Sequence, residues 1–260
     1  MRRVSSSMTG HRGALLSQIV TPALREALES EAFAAALAPV GVHPWWPGSQ
    51  WVARPGHFSV WHPTISSTMT NEVPLSVEPE PFADAPEGAP LKLCVGPWAK
   101  APEAVSGFRT WQAEALAITP TVRAQTSAQV SRVDASAYTP AHCALWGLSE
   151  MEREALERAQ WATPRWLYAA RVDGQVVGVS STLLLELDGR RYAYLSGAVV
   201  APEARGRGLY RQLTEVRLSE LAQAGVELAV TLARTATSAP LLKKRGFRHL
   251  YDLQCFSNQG

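Results

Sequence analysis

The sequence predicts an α/β (α+β) protein, with a mixed, mostly antiparallel twisted sheet flanked by helices and a second, accessory domain at the N-terminal end. Three observations predict it. Asp173-Gly174 and Asp188-Gly189 each separate two long apolar runs, and Asp-Gly in that setting marks a hairpin because both residues tolerate the positive φ of a type I′ turn. A strand-like run at 192–200 is followed by a helix-like run at 209–222 and a short apolar run at 226–232, the order of a right-handed parallel crossover. With 260 residues, 46% of them hydrophobic, the chain can fill one large core or two modest ones.

The elements follow in order. Thr21-Pro22 offers an N-cap and a first-turn proline for a helix reaching about Leu37. Residues 57–65 and 91–95 read as strands. Between them, residues 71–90 hold five prolines, five acidic residues and no basic ones, the composition of an extended acidic loop. A short helix is expected from Pro102 to Gly107-Phe108, and a strand at 115–118. The apolar pattern thins over 120–127, which divides the chain into residues 1–125 and 126–260.

The second part is easier to read. Residues 128–133 form a strand, and Ser149 with Glu152 has the spacing of a capping box for a charged helix to about Gln160. Three antiparallel strands follow, 166–172, 176–187 and 192–200. Leu209, Leu213, Val216 and Leu221 make a helical stripe that Gly225 ends. A strand at 226–232, a helix at 238–245 ending in Gly246-Phe247, and a strand at 250–256 complete the order.

The turn between the third of these strands and its helix reads Val200-Ala-Pro-Glu-Ala-Arg205-Gly-Arg-Gly-Leu-Tyr-Arg211. An Arg- and Gly-rich turn at a helix N-terminus exposes backbone N–H groups at the positive end of the helix dipole, which suits a phosphate or pyrophosphate. Gly206 and Gly208 let the backbone approach such a ligand closely.

These residues resemble the GNAT superfamily of acyl-CoA-dependent N-acetyltransferases. The resemblance rests on Val200-Ala-Pro202, Arg205-Gly206-Arg207-Gly208 and the later Leu242-Lys-Lys-Arg-Gly246-Phe247, and it covers about 127–256. Tyr210 stands where a small residue is usual, and Leu242 where the family's tyrosine is. The resemblance implies the acyl-CoA N-acyltransferase fold, with acetyl-CoA as cosubstrate in the opening between the fourth and fifth strands. It implies that the backbone of Gly206, Arg207, Gly208, Leu209, Tyr210 and Arg211, with Arg205, holds the pyrophosphate, and that Ala198, Val199 and Val200 pair with pantetheine. The expected reaction is direct attack of a small-molecule or peptide amine on the thioester.

A neutral amine requires a base or a desolvating pocket. The family often uses a carboxylate on the fourth strand, and residues 192–200 contain none. Tyr194 and Ser196, with Tyr192 on the same strand face, and Glu186 across the hairpin are the candidate catalytic side chains. Thr235 and Ser238 are further hydroxyls expected near the sulfur, and His142 reads as a structural histidine between two sheet elements. In the first part, the helix, Gly-Phe and strand order echoes 240–256, so residues 1–125 read as an accessory or degenerate GNAT-like domain. His57, Trp61, His62 and Thr64 there are candidates for an acceptor-side wall, or equally for a structural buttress.

The alternative function is a non-catalytic acyl-CoA-binding sensor or interaction module that keeps the turn without an acid or base. A third reading, nucleic-acid binding through Arg205, Arg207, Arg211 and Lys243-Lys244-Arg245, is opposed by the near balance of 25 basic and 23 acidic residues. Cys94, Cys143 and Cys255 are far apart in sequence and odd in number, which fits buried thiols in a reducing cytoplasm and neither a disulfide framework nor a metal site. No run is long and apolar enough for a membrane span. The expectation is therefore a cytoplasmic monomer or homodimer, whose partners are acetyl-CoA and an amine, with no metal, nucleic acid or membrane.

Overall fold

The computed structural model describes residues 19–22, 26, 30–38, 49–62, 72–78, 81–82, 85–86, 89–99, 107–122, 129–159, 165–187 and 189–258. Two compact units form: residues 1–117 with 232–260, and residues 118–231. This packing division differs from the 125/126 boundary read from the sequence. The last strand, β11 (Arg248–Ser257), pairs antiparallel with β4 (Lys92–Val95) and β5 (Arg109–Ile118), so the C-terminal segment packs with the first.

In the first unit the strand order is β1-β2-β3-β4-β11-β5, where β1 is Gln50–Arg54, β2 His57–Trp61 and β3 Glu72–Ser76. Helix α1 (Ser30–Leu37) contributes buried Phe33 and Leu37 to its core. The rest of the helix expected from Thr21, and the whole helix expected from Pro102, lie largely outside the described residues. β3 corrects the reading of 71–90 as a loop. It is buried throughout, pairs antiparallel with β2 and parallel with β4, and so places Pro74 inside a sheet. The acidic count concealed it, because Glu72 is engaged with Lys92 at 2.6 Å and Glu78 with Arg54.

In the second unit the order is β10-β9-β8-β7-β6. These strands are β6 (Val130–Val133), β7 (Arg165–Val172), β8 (Gln175–Leu187), β9 (Arg190–Val200) and β10 (Leu228–Arg234). β6 to β9 pair antiparallel in succession, and β9 pairs parallel with β10. The mixed, mostly antiparallel sheet with helices is therefore the observed fold. At Asp173 and Gly174 φ is 49° and 79°, the positive pair that a type I′ hairpin requires.

Helix α2 (Ala135–Trp146) was not anticipated. Asp134 caps it by accepting from Ala137 N–H at 2.9 Å, and Gly147 ends it in the left-handed region. Pro140 inside it hides the pattern. His142 therefore sits on this helix, between β6 and β7 along the chain. Helix α3 (Glu150–Ala159) carries the expected capping box: Ser149 N–H donates to Glu152 Oε2 at 2.8 Å, and Glu152 N–H to Ser149 Oγ at 3.3 Å. Helix α4 (Leu209–Gln223) buries Leu209, Leu213, Leu218 and Leu221, a stripe that packs it on the sheet. Helix α5 (Ser238–Lys243) precedes β11 in the first unit. No helix among the described residues is long and apolar enough to cross a membrane.

Candidate functional site

The site grows from the end of β9. A 3-10 turn, Pro202–Ala204, follows that strand, and Ala201 N–H is held by the Val177 carbonyl at 2.8 Å. Gly206 and Gly208 then adopt φ of 79° and 73°, values that an L side chain rarely tolerates. Gly208 is the N-cap of α4 and makes no side-chain cap bond. Gln212 is the first residue of α4 whose N–H reaches a carbonyl one turn back, that of Gly208 at 3.0 Å. Among the described residues, the N–H groups of Gly206, Arg207, Gly208, Leu209, Tyr210 and Arg211 have no protein acceptor.

A Cβ built on Gly206 would meet no atom within 4 Å, whereas one on Gly208 would lie 3.5 Å from the Arg211 guanidinium, so the turn is open at Gly206 and flanked by a cation at Gly208. Six consecutive backbone donors without a protein acceptor at a helix N-terminus make this turn a candidate anion cradle. Tyr210 does not project into it. The ring packs against the core made by Tyr168, Val200, Leu209 and Leu213, and burial raises the pKa of its phenol. Arg205 folds back instead, its Nε donating to the Val200 carbonyl at 3.2 Å.

β9 and β10 are joined only at Tyr192, Ala193 and Tyr194, opposite Leu228, Ala229 and Val230. Beyond Tyr194 the two strands no longer pair, and Thr231 Oγ1 donates to the Leu195 carbonyl at 2.8 Å, closing the last rung. At the same level the β8–β9 register jumps from Ser181 opposite Ser196 to Val179 opposite Val199. Gly197 and Ala198 thus oppose the single residue Ser180, and φ of Gly197 is 61°. This is a β-bulge, which turns the amides of the bulged strand away from the regular ladder. Its consequence is a strand edge, from Ser196 to Val200, not bonded to β10 and bearing re-aimed backbone dipoles.

A cluster of side chains lies against the bulge. Ser181 Oγ and Ser196 Oγ are 3.0 Å apart. A Cβ on Gly197 would lie 3.6 Å from both Ser181 Oγ and the Tyr138 hydroxyl, and 3.9 Å from His142 Cε1. Tyr138 and His142, one turn apart on α2, stack with centroids 5.2 Å apart. Burial, with Arg165 adding to it, pushes the His142 pKa down to about 4, so the imidazole is neutral at pH 7. Burial pushes the Tyr138 phenol up to about 12.

Of the expected catalytic residues, Ser196 therefore lies at the bulge and Tyr194 on the same strand face at the last β10 pair. Glu186 is not brought to them. It is exposed, on the opposite face of β8 from Ser181, and about 16 Å further along the strand. Leu242 is buried in α5 and offers no proton donor. His57 and Trp61 are core residues of the first unit: His57 contacts Ser76 Oγ at 3.0 Å and Ser59 Oγ at 3.1 Å, and Trp61 packs with Leu93 and Phe256. Thr64 lies outside the described residues. Tyr138 and His142 were not among the expected catalytic residues, and their one available signal was the i, i+4 spacing of two polar rings after an Asp N-cap.

In the first unit the ligand atoms of Glu114, His249 and Asp252 lie within 4.8 Å of one another. Lys243 pairs with Glu114, and His249 Nε2 lies 2.9 Å from Asp252 Oδ1, so each of these groups already has a protein partner.

A protein-family model described as an acetyltransferase (GNAT) domain matches residues 134–259. Among solved structures, a GCN5-related N-acetyltransferase from Kribbella flavida is similar at 16% identity and a TM-score of 0.58, covering 87% of this chain and 96% of that one. A proposed acetyltransferase of the GNAT family from Novosphingobium aromaticivorans is similar at 17% identity and a TM-score of 0.58, covering 86% and 94%. At these identities the likeness is one of fold, and it extends beyond the segment that the family model matches. No curated protein matches the sequence.

Proposed function

We propose that this chain, which carries a GNAT acetyltransferase domain over residues 134–259, transfers the acetyl group of acetyl-CoA to an amine of a small molecule or peptide. The observation that carries the reading is the row of acceptor-free N–H groups from Gly206 to Arg211 beside the open edge of β9. A row of backbone donors at a helix N-terminus suits a pyrophosphate, and an unpaired strand edge suits an extended chain.

In this reading the N–H groups of Gly206 to Arg211 hold the pyrophosphate and the freed edge of β9 guides pantetheine. The Val200 carbonyl is already engaged by Arg205, so Ala198 and Val199 are the more available partners. Amide dipoles re-aimed at the Gly197–Ala198 bulge stabilise negative charge on the thioester oxygen as the amine attacks. The tetrahedral intermediate collapses by C–S cleavage, with the CoA thiolate as leaving group. Ser196 and Tyr194 position the acceptor. The amine enters neutral or loses its proton to water. Residues 1–125 are an accessory or degenerate domain of the same kind: β3 and β4 run parallel there, as β9 and β10 do, and no Arg-Gly-x-Gly turn accompanies them.

Release of CoA thiol over a panel of small-molecule and peptide amines tests the proposal. Turnover with an amine that is lost in Gly206→Glu supports it. Tight acetyl-CoA binding without turnover across the panel overturns it in favour of a sensor.

A further inference from the structure

Cys94 and Cys255 are separated by 161 residues in sequence, yet their sulfurs are 2.8 Å apart. They stand directly opposite each other on antiparallel β4 and β11, and both are buried. All three cysteines are buried free thiols, as expected, and the sheet brings two of them together. Directly opposed residues of an antiparallel pair have Cα atoms about 4.5–5.5 Å apart, inside the span of about 4.4–6.8 Å that a disulfide bridges. The side chains already point at one another, so closure needs no rearrangement of the backbone.

The neighbourhood also distinguishes the two sulfurs. Lys92 lies two residues before Cys94 on the same strand face, and its ammonium is held by Glu72 at 2.6 Å. The Cys255 thiol donates to Cys94, and this bond, with the Lys92 charge, holds the Cys94 pKa below the ordinary thiol value. The Cys255 pKa is correspondingly raised by its place as donor and by burial. Cys143, in the other unit, is pushed up to about 11 by burial, with Glu157 adding to it. It is the inert thiol of the three.

We propose that Cys94 and Cys255 are a reversible dithiol–disulfide pair, oxidised by a low-molecular-weight disulfide such as oxidised glutathione. The Cys94 thiolate attacks one sulfur of the oxidant, forming a mixed disulfide and expelling one glutathione thiolate. Cys255 loses its proton and attacks the Cys94 sulfur, forming the Cys94–Cys255 bond and expelling the second. Two electrons pass from the pair to the oxidant, and the two protons end on the released thiols. Because both sulfurs are buried, the first step waits on local opening of the strands, and the second follows within the sheet. The bond ties β4 to β11 and closes the whole chain between residues 94 and 255 into one loop, which restricts the unfolded state.

The test treats the full native chain with oxidised glutathione in mildly alkaline buffer and titrates thiols after denaturation. The three free thiols are expected to fall to one, with loss of two hydrogen masses and a cross-linked peptide joining positions 94 and 255 that dithiothreitol releases. The oxidised chain is expected to melt at higher temperature than the reduced one. Cys255→Ser is expected to stop at a single glutathione on Cys94. Three thiols remaining after prolonged treatment overturn the proposal, as do stable glutathione adducts on both residues. A Cys255→Ser chain left unmodified overturns it as well, since Cys94 is then not the attacking thiol.

Discussion

The Thr231 hydroxyl donates to the Leu195 carbonyl at 2.8 Å, one residue beyond the last paired rung of β9 and β10. A side chain thus replaces the backbone bond that a continuing parallel ladder would make. It satisfies a buried acceptor at the point where the two strands stop pairing. Thr231→Val keeps the shape and removes the donor. The expected cost is about 1–3 kcal/mol, the penalty for a buried carbonyl left without a partner. Urea denaturation reads the stability change, and calorimetric titration with acetyl-CoA is expected to show weaker binding. Unchanged values in both would mean that the Thr231 bond is incidental.

Two substitutions of Gly206 separate backbone strain from ligand binding. Gly206→Ala is expected to destabilise by about 1–2 kcal/mol, since φ of 79° suits only a residue without Cβ. No atom lies near enough for a clash, so that cost is conformational. Gly206→Glu adds a negative charge over the same donors. It is expected to lower acetyl-CoA affinity by at least about tenfold, equivalent to 1.4 kcal/mol, beyond the effect of the alanine variant. Affinities equal in the two variants would count against the pyrophosphate assignment.

His142 makes stability depend on pH below neutrality. Its folded pKa, about 4, is depressed from 6.5 by burial and by Arg165. Between those values the unfolded chain binds the proton and the folded chain does not, so stability is full above pH 6.5 and falls as the pH drops towards 4. At pH 5 the loss relative to pH 7 is about 2 kcal/mol by linkage. His142→Asn is expected to remove this component, and urea midpoints of both chains at the two pH values measure it.

The capping box at α3 offers a check remote from the cradle. Ser149→Ala is expected to cost about 1 kcal/mol, since Ser149 Oγ accepts from the Glu152 N–H at 3.3 Å and contacts its carboxylate at 2.7 Å. A fall in the thermal midpoint with CoA release unaffected is the expected pairing. An unchanged midpoint would show that this helix end contributes little.

Much of the second unit is legible in the sequence. The Asp173-Gly174 hairpin, the Ser149–Glu152 box, the stripe of α4 and the Arg205–Gly208 turn each depend on neighbours within a few residues, and local chemistry decides them. What escaped was of two kinds. α2 and β3 carry a proline, Pro140 and Pro74, that masks their periodicity, and β3 draws its burial from partners on β2 and β4. The Gly197 bulge left only a glycine inside a strand as its signal. Glu186 illustrates the converse: its type suited a base, but strand parity put it on the wrong face.

By itself the sequence determined the fold class and the glycine turn at the N-terminus of α4, because such a turn is a local object. Only the tertiary structure decided where β9 and β10 part, which side chains gather at the bulge, and that the C-terminal strand packs with the first unit. The meeting of Cys94 and Cys255 belongs to the same class. Each depends on the register between strands distant in sequence, and register is set by burial of whole faces, which no short window of residues contains.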